Sequence, residues 1–210
     1  MVEDIQIFDT TNFQSLCNEL AKKDVVLKKI IDTYGYPPVW NRPLSFASLI
    51  HIILEQQVSL ASALSAFKKL QEKIGEITPA KLLALTDEEM KACFFSRQKT
   101  VYARHLAENI INENLKLDIL PALSNDEVRK QLLQIKGIGH WTVDVVLMFC
   151  LQRTDLFPIG DIALVNSVRH ELGKKELTKE AILLLAENWA PHKTIAAYLF
   201  WHAYLERRKK

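Results

Sequence analysis

Apolar residues recur every three or four positions through much of the chain, as at Leu82, Leu83 and Leu85 and again at Val101, Leu106, Ile110 and Ile111. That period lines one face of a helix. No β-hairpin signature interrupts it, and polar residues mark where helices begin. Ser124 with Glu127 and Thr86 with Glu89 fit capping boxes, and Thr78-Pro79 puts proline at a first helical position. The pattern predicts an all-α fold. Phe46 to Leu70 is too long and too apolar for one surface helix, and Gln56-Gln57-Val58-Ser59 breaks it, with Ser59 suited to cap the second half. Two buried helices joined by a polar elbow are expected there. Downstream, a helix near Ser124 to Leu133 should reach the turn Ile135-Lys136-Gly137-Ile138-Gly139, and a second should run from Trp141 to Leu151. A short connection from Asp155 to Gly160 contains Pro158, and another helix should open at or just after Asp161. The last two helices are expected at Thr178–Trp189 and Pro191–Arg207, with Pro191 at a start position.

Composition bounds the picture without deciding it. The 210 residues are 49% apolar and 25% charged, enough for one domain or two joined lobes. A net charge of +2 is too small to mark a nucleic-acid binder by itself. Cys17, Cys93 and Cys150 are odd in number and widely spaced, which indicates neither a disulfide framework nor a thiolate metal site; reduced, mostly buried thiols are expected. Met1 to Thr10 carries Glu3, Asp4 and Asp9 in place of a basic start and apolar run. No stretch is long and uncharged enough to span a membrane. An intracellular place is expected, with cytoplasm, nucleoid and nucleus left open.

Chemistry enters at the turn. Glycines two apart in Gly137-Ile138-Gly139 allow positive φ and close backbone approach, and the next helix points its first amides outward. Such a turn can hold a phosphate on backbone N–H groups and the positive helix end, without basic side chains. An ordinary αα-hairpin would use the same residues, so the turn alone leaves both readings open.

The wider string Leu132-Leu133-Gln134-Ile135-Lys136-Gly137-Ile138-Gly139-His140-Trp141-Thr142, followed by Phe157-Pro158-Ile159-Gly160-Asp161 and preceded by Gln56-Gln57-Val58-Ser59, resembles the helix-hairpin-helix DNA glycosylases. Arg42-Pro43, Phe46-Ala47-Ser48-Leu49 and Ser96-Arg97-Gln98-Lys99 resemble its alkyl-base branch, 3-methyladenine DNA glycosylase II. The likeness covers roughly residues 37 to 205. It implies a helix-hairpin-helix fold of two helical lobes, 45–154 and 1–44 plus 155–210, flanking a cleft that DNA crosses. The implied partner is double-stranded DNA with damaged bases, and the implied reaction is hydrolysis of alkylated purines to leave an abasic site. A monomer is the default.

By the same resemblance Asp161 is the carboxylate that faces the sugar of the flipped nucleotide. An anion there is chemically apt, because glycosidic cleavage builds positive charge on the deoxyribose. The plain alternative for Asp161 is a helix cap. Trp141 stands where lyase-competent relatives carry a lysine nucleophile, so simple hydrolysis is expected, with the indole either facing the base or packing in the core. Asp144 is a rival carboxylate better suited to a structural hydrogen bond. Val145 and His192 stand where a bacterial branch has aromatic residues, which implies a less aromatic base pocket. Gln57 falls at the intercalating wedge; Gln56 and Ser59 suit capping of the elbow. Arg97, Lys99, Lys136, Gly137, Gly139, His140 and Thr142 are candidate DNA contacts, alongside Ser59. The backbone carbonyls of Leu133, Ile135 and Ile138 are implied ligands for a Na+ or K+ ion. No cysteine follows Cys150, so no iron–sulfur cluster is expected, and no H-E-x-x-H spacing indicates zinc. Two other readings stay open: a damage-binding module without chemistry, and a bifunctional glycosylase-lyase.

Overall fold

A computed structural model describes residues 6–209, so Glu3 and Asp4 of the acidic start lie outside the described residues. The elements are helical: α1 (Phe13–Lys23), α2 (Val25–Tyr34), α3 (Phe46–Glu55), α4 (Leu60–Ile74), α5 (Pro79–Leu83), α6 (Asp87–Ala92), α7 (Arg97–Ile111), α8 (Asn125–Leu132), α9 (His140–Val145), α10 (Ile162–Glu171), α11 (Lys179–Ala186) and α12 (Lys193–Arg207). Their starts follow the capping chemistry in the sequence. Thr86 with Glu89 and Ser124 with Glu127 close reciprocal capping boxes on α6 and α8, and Pro79 opens α5 behind a Thr78 cap. Such caps satisfy amides that the first helical turn leaves without partners, each adding about 1 kcal/mol.

The chain divides into two units, Arg42–Val146 and the described residues up to Asn41 together with those from Leu147 onward. In the Arg42–Val146 unit, α3 is the spine. Phe46, Leu49, Ile50, Ile52, Ile53 and Leu54 are buried, and α4, α7 and α9 pack against it. α4 departs from expectation, for only Ala63, Ala66 and Leu70 are buried while Leu60 and Leu64 face solvent.

The other unit is built around α12, where every residue from Thr194 to Ala203 is buried. A helix apolar on all sides belongs inside a core; α1, α2 and α10 surround this one. Phe8, Phe13, Trp40, Phe149 and Trp201 surround the Tyr198 ring at centroid distances of 5.0–6.1 Å, and the Tyr198 hydroxyl donates to the Trp40 carbonyl at 2.5 Å.

Three boundaries differ from the sequence reading. The helix expected to run from Trp141 to Leu151 stops being α-helical at Val145 and continues as a π-turn, Val146–Cys150. Within that turn Leu147 begins the other unit, where Phe149 joins the aromatic cluster and the Leu147 carbonyl accepts the Arg153 amide at 3.0 Å. The division therefore falls before Leu147, not at 154. Pro191 is not a helix start either. It follows a cis peptide from Ala190, and α12 opens at Lys193 after a turn closed by the His192 amide on the Trp189 carbonyl. Cys17 and Cys93 are buried and Cys150 is half-buried, and none of the three forms a disulfide.

Candidate active site and nucleic-acid interface

In the Arg42–Val146 unit, the Ile135 amide bonds to the Leu132 carbonyl and the Ile138 amide to the Ile135 carbonyl, both at 3.0 Å. Buried Ile135 and Ile138 anchor the turn from inside, while Lys136, Gly139 and His140 are exposed. Gly137 sits at φ 89°, a conformation open to glycine but not to L side chains. A Cβ there would lie 2.1 Å from the Tyr102 ring. Tyr102 and His105, one turn apart on α7, form the bed of the hairpin, and His105 Nδ1 accepts the Lys136 amide at 3.0 Å. Gly139 precedes α9 without a side-chain cap. The Lys136 amide is thus spent inside the protein, and outward grip is left to the rest of the turn.

The flanks of the hairpin are clamped by charge. Arg129 on α8 donates to Asp144 on α9 at 2.5 Å, a structural hydrogen bond between the two helices. Burial pushes the Asp144 carboxyl above its ordinary value of 3.8 despite the pull of Arg129. A raised carboxyl carries a charge penalty that is full above its folded-state value and vanishes as pH falls to 3.8. Arg129→Met removes the compensating charge and should cost about 2 kcal/mol at pH 7, below the range for fully buried pairs because Arg129 retains some exposure. The deficit should shrink as pH falls toward 4. Urea titrations at pH 7 and pH 4.5 check this; a deficit of equal size at both would show that Asp144 is not the stranded group.

The elbow between α3 and α4 exposes Gln57 at φ 58°. Ser59 caps α4 by accepting the Ser62 amide at 3.2 Å. Two proposed DNA contacts are turned to internal use. Thr142 is buried, and its hydroxyl accepts from Gln56 Nε2 at 3.0 Å; Lys99 Nζ donates to the Leu54 carbonyl at 2.6 Å, capping the C-terminal end of α3. Burial holds the Lys99 ammonium below its usual value. Arg97 remains exposed at the start of α7. Trp141 is half-buried on α9, whereas Val145 is only 2% exposed and is a core residue.

In the unit around α12, Asp161 stands as both helix cap and candidate catalytic carboxylate. Its Oδ1 accepts the Leu164 amide at 2.8 Å and the Trp201 indole N–H at 3.2 Å, and the Asp161 amide donates to the Pro158 carbonyl at 2.9 Å. The connection carrying Pro158 is therefore a turn that presents a half-buried carboxylate. His192 precedes α12 with Nε2 3.5 Å from Glu19, so its imidazole is engaged with α1 of its own unit.

Residues 50–192 match the family described as HhH-GPD superfamily base excision DNA repair protein. The chain belongs to this superfamily. DNA-3-methyladenine glycosylase 1 of Schizosaccharomyces pombe is 32% identical over 181 residues, 83% of this chain and 79% of that protein. A DNA-3-methyladenine glycosylase of Bacillus subtilis is 28% identical over 208 residues, 92% of this chain and 68% of that one. The solved S. pombe 3-methyladenine DNA glycosylase (Mag1) in complex with abasic DNA superposes with a TM-score of 0.82 at 30% identity, over 89% of this chain and 95% of that chain.

Several supports of the hairpin, of Asp161 and of His192 have no signal in the sequence. Trp201, Arg129 and Glu19 touch their partners across long separations, whereas Tyr102 and His105 announce only a shared helix face. The implied carbonyl trio of the HhH-GPD hairpin has suitable chemistry for a monovalent cation. Main-chain oxygens are hard donors with two lone pairs each, so Ile135 can accept the Ile138 amide and still face a cation. Among the described residues no three His, Cys, Asp or Glu side chains gather as a metal site, and no helix is long and apolar enough to cross a membrane.

Proposed function

We propose that this HhH-GPD chain is a monofunctional DNA glycosylase that removes alkylated purines such as 3-methyladenine and 7-methylguanine from duplex DNA in base excision repair. The observation that carries the reading is Asp161. It is a carboxylate fixed by the Leu164 amide and the Trp201 indole at the mouth of α10, in a chain whose relatives are named 3-methyladenine glycosylases. As the bond from the sugar C1′ to the base breaks, the electron pair leaves with the base and positive charge grows on the deoxyribose. Asp161 stabilises that charge, orients a water toward C1′ and accepts its proton. A base made cationic by alkylation departs neutral, so no separate acid is required. Trp141 in place of a lysine leaves water as the nucleophile, and its indole offers a face that favours a cationic ring.

DNA is held by the exposed hairpin residues Lys136, Gly139 and His140 with Gly137 shaping the turn, and by Arg97, while Gln57 fills the gap left by the everted base. The carbonyls of Leu133, Ile135 and Ile138 would hold a Na+ or K+ ion, which supplies positive charge for a backbone phosphate. The chain acts as a monomer.

Single-turnover assays on duplexes carrying 3-methyladenine or 7-methylguanine test this. Free base and an alkali-labile abasic site should form, and borohydride should trap no protein–DNA adduct. Absence of abasic product from both lesions, with DNA still bound, would replace the reading with a damage-binding module.

A further inference from the structure

Gln56 precedes the exposed Gln57, and its side chain does not serve its own helix. Its backbone amide already closes α3 on the Ile53 carbonyl at 3.3 Å, so the carboxamide is left to reach elsewhere. Nε2 donates to the Gly137 carbonyl at 2.8 Å and to the Thr142 hydroxyl at 3.0 Å. A carbonyl can only accept, which fixes the orientation of the amide. One side chain thus joins the elbow to the turn glycine of the hairpin and to the first turn of α9.

The residues just before Gln56 are pinned as well. Leu54 is held by Lys99, and Glu55 takes a two-point contact from Arg42 at 2.9 and 2.6 Å. After these three anchored residues the chain turns left-handed at Gln57, a conformation that a side-chain-bearing residue keeps only when its surroundings enforce it. Arg42 and Lys99 hold the end of α3; Gln56 alone of the three reaches the hairpin.

We propose that Gln56 is a positioning residue for base eversion, setting Gln57 at a fixed register to the hairpin so that gripping the backbone and filling the vacated stack occur together. The inference rests on the glycosylase reading and on Gln57 as the wedge. It needs no contact of Gln56 with DNA, because its donors are already engaged by protein. Misplacement of a wedge by about 1 Å can cost on the order of 100-fold in a positioned reaction.

The test compares wild type, Gln56→Met, Gln57→Ala and the double variant on a 7-methylguanine duplex bearing 2-aminopurine beside the lesion. Gln56→Met should slow single-turnover base release about 10-fold or more and lower the 2-aminopurine signal, with KM moving much less than kcat. The two losses should not multiply. Once Gln57 is alanine, removing Gln56 should cost less than about 2-fold further. Thr142→Val, which keeps shape and removes one acceptor, should give an intermediate loss and guards against a folding failure of Gln56→Met. Multiplying losses, or equal base release by wild type and Gln56→Met, would overturn the proposal while leaving the glycosylase reading intact. A wild-type chain that releases no base removes both.

Discussion

Asp161→Asn should abolish base release, at least about 100-fold below wild type, while leaving the fold and DNA affinity nearly unchanged. The loss comes from charge: removing one preorganised electrostatic stabiliser from a transition state costs about 100- to 1,000-fold. Preservation of the fold comes from the cap. Asparagine caps helices as well as aspartate, and it keeps an Oδ1 acceptor for the Leu164 amide and the Trp201 indole. Asp161→Ala separates the two roles. It should be as inactive as the asparagine variant but also less stable by about 1 kcal/mol or more, since the cap and the indole acceptor both go. Single-turnover excision and thermal melts of the three proteins decide the matter. Substantial activity in Asp161→Asn would leave Asp161 as a cap only.

Gly137→Ala should lose most DNA affinity, on the order of 10- to 100-fold, and destabilise the Arg42–Val146 unit by about 2 kcal/mol or more. Two causes add. An alanine at φ 89° is strained whatever surrounds it, and its Cβ would fall 2.1 Å from Cγ of Tyr102, the root of the ring. Swinging that ring aside is not cheap, because the clash falls at its root and not at the far end of a flexible side chain. Tyr102→Ala in the same chain should return part of the lost affinity by opening space, and no more than part, since the backbone strain remains. Filter binding to an abasic duplex provides the measure. Wild-type affinity in Gly137→Ala would mean that the turn can take another shape at no cost.

How much of this is legible in the sequence depends on how local the cause is. Ser59, Thr86, Ser124 and Asp161 cap helices through amides three residues away, so residue type and spacing announce them directly. Gly137 can be read as a backbone requirement, though not Tyr102 as its reason. Lys99 and Thr142 look like DNA contacts in the string because a polar side chain beside a motif seems available until the fold engages it. Val145 reads as a pocket residue in the string, and its near-complete burial comes from packing that the string does not state. The π-turn after Val145 is illegible, for it answers to the aromatic cluster that Phe149 joins.

The burial of α12 on every side also has a consequence for how the molecule comes off the ribosome. The Arg42–Val146 unit is one unbroken stretch, complete once Val146 has been made. Phe8 and Phe13, by contrast, must wait for Tyr198, and Asp161 for Trp201. Because domains form as units and contacts distant in sequence close late, the hairpin can be in place on a nascent chain whose carboxylate still lacks its indole partner.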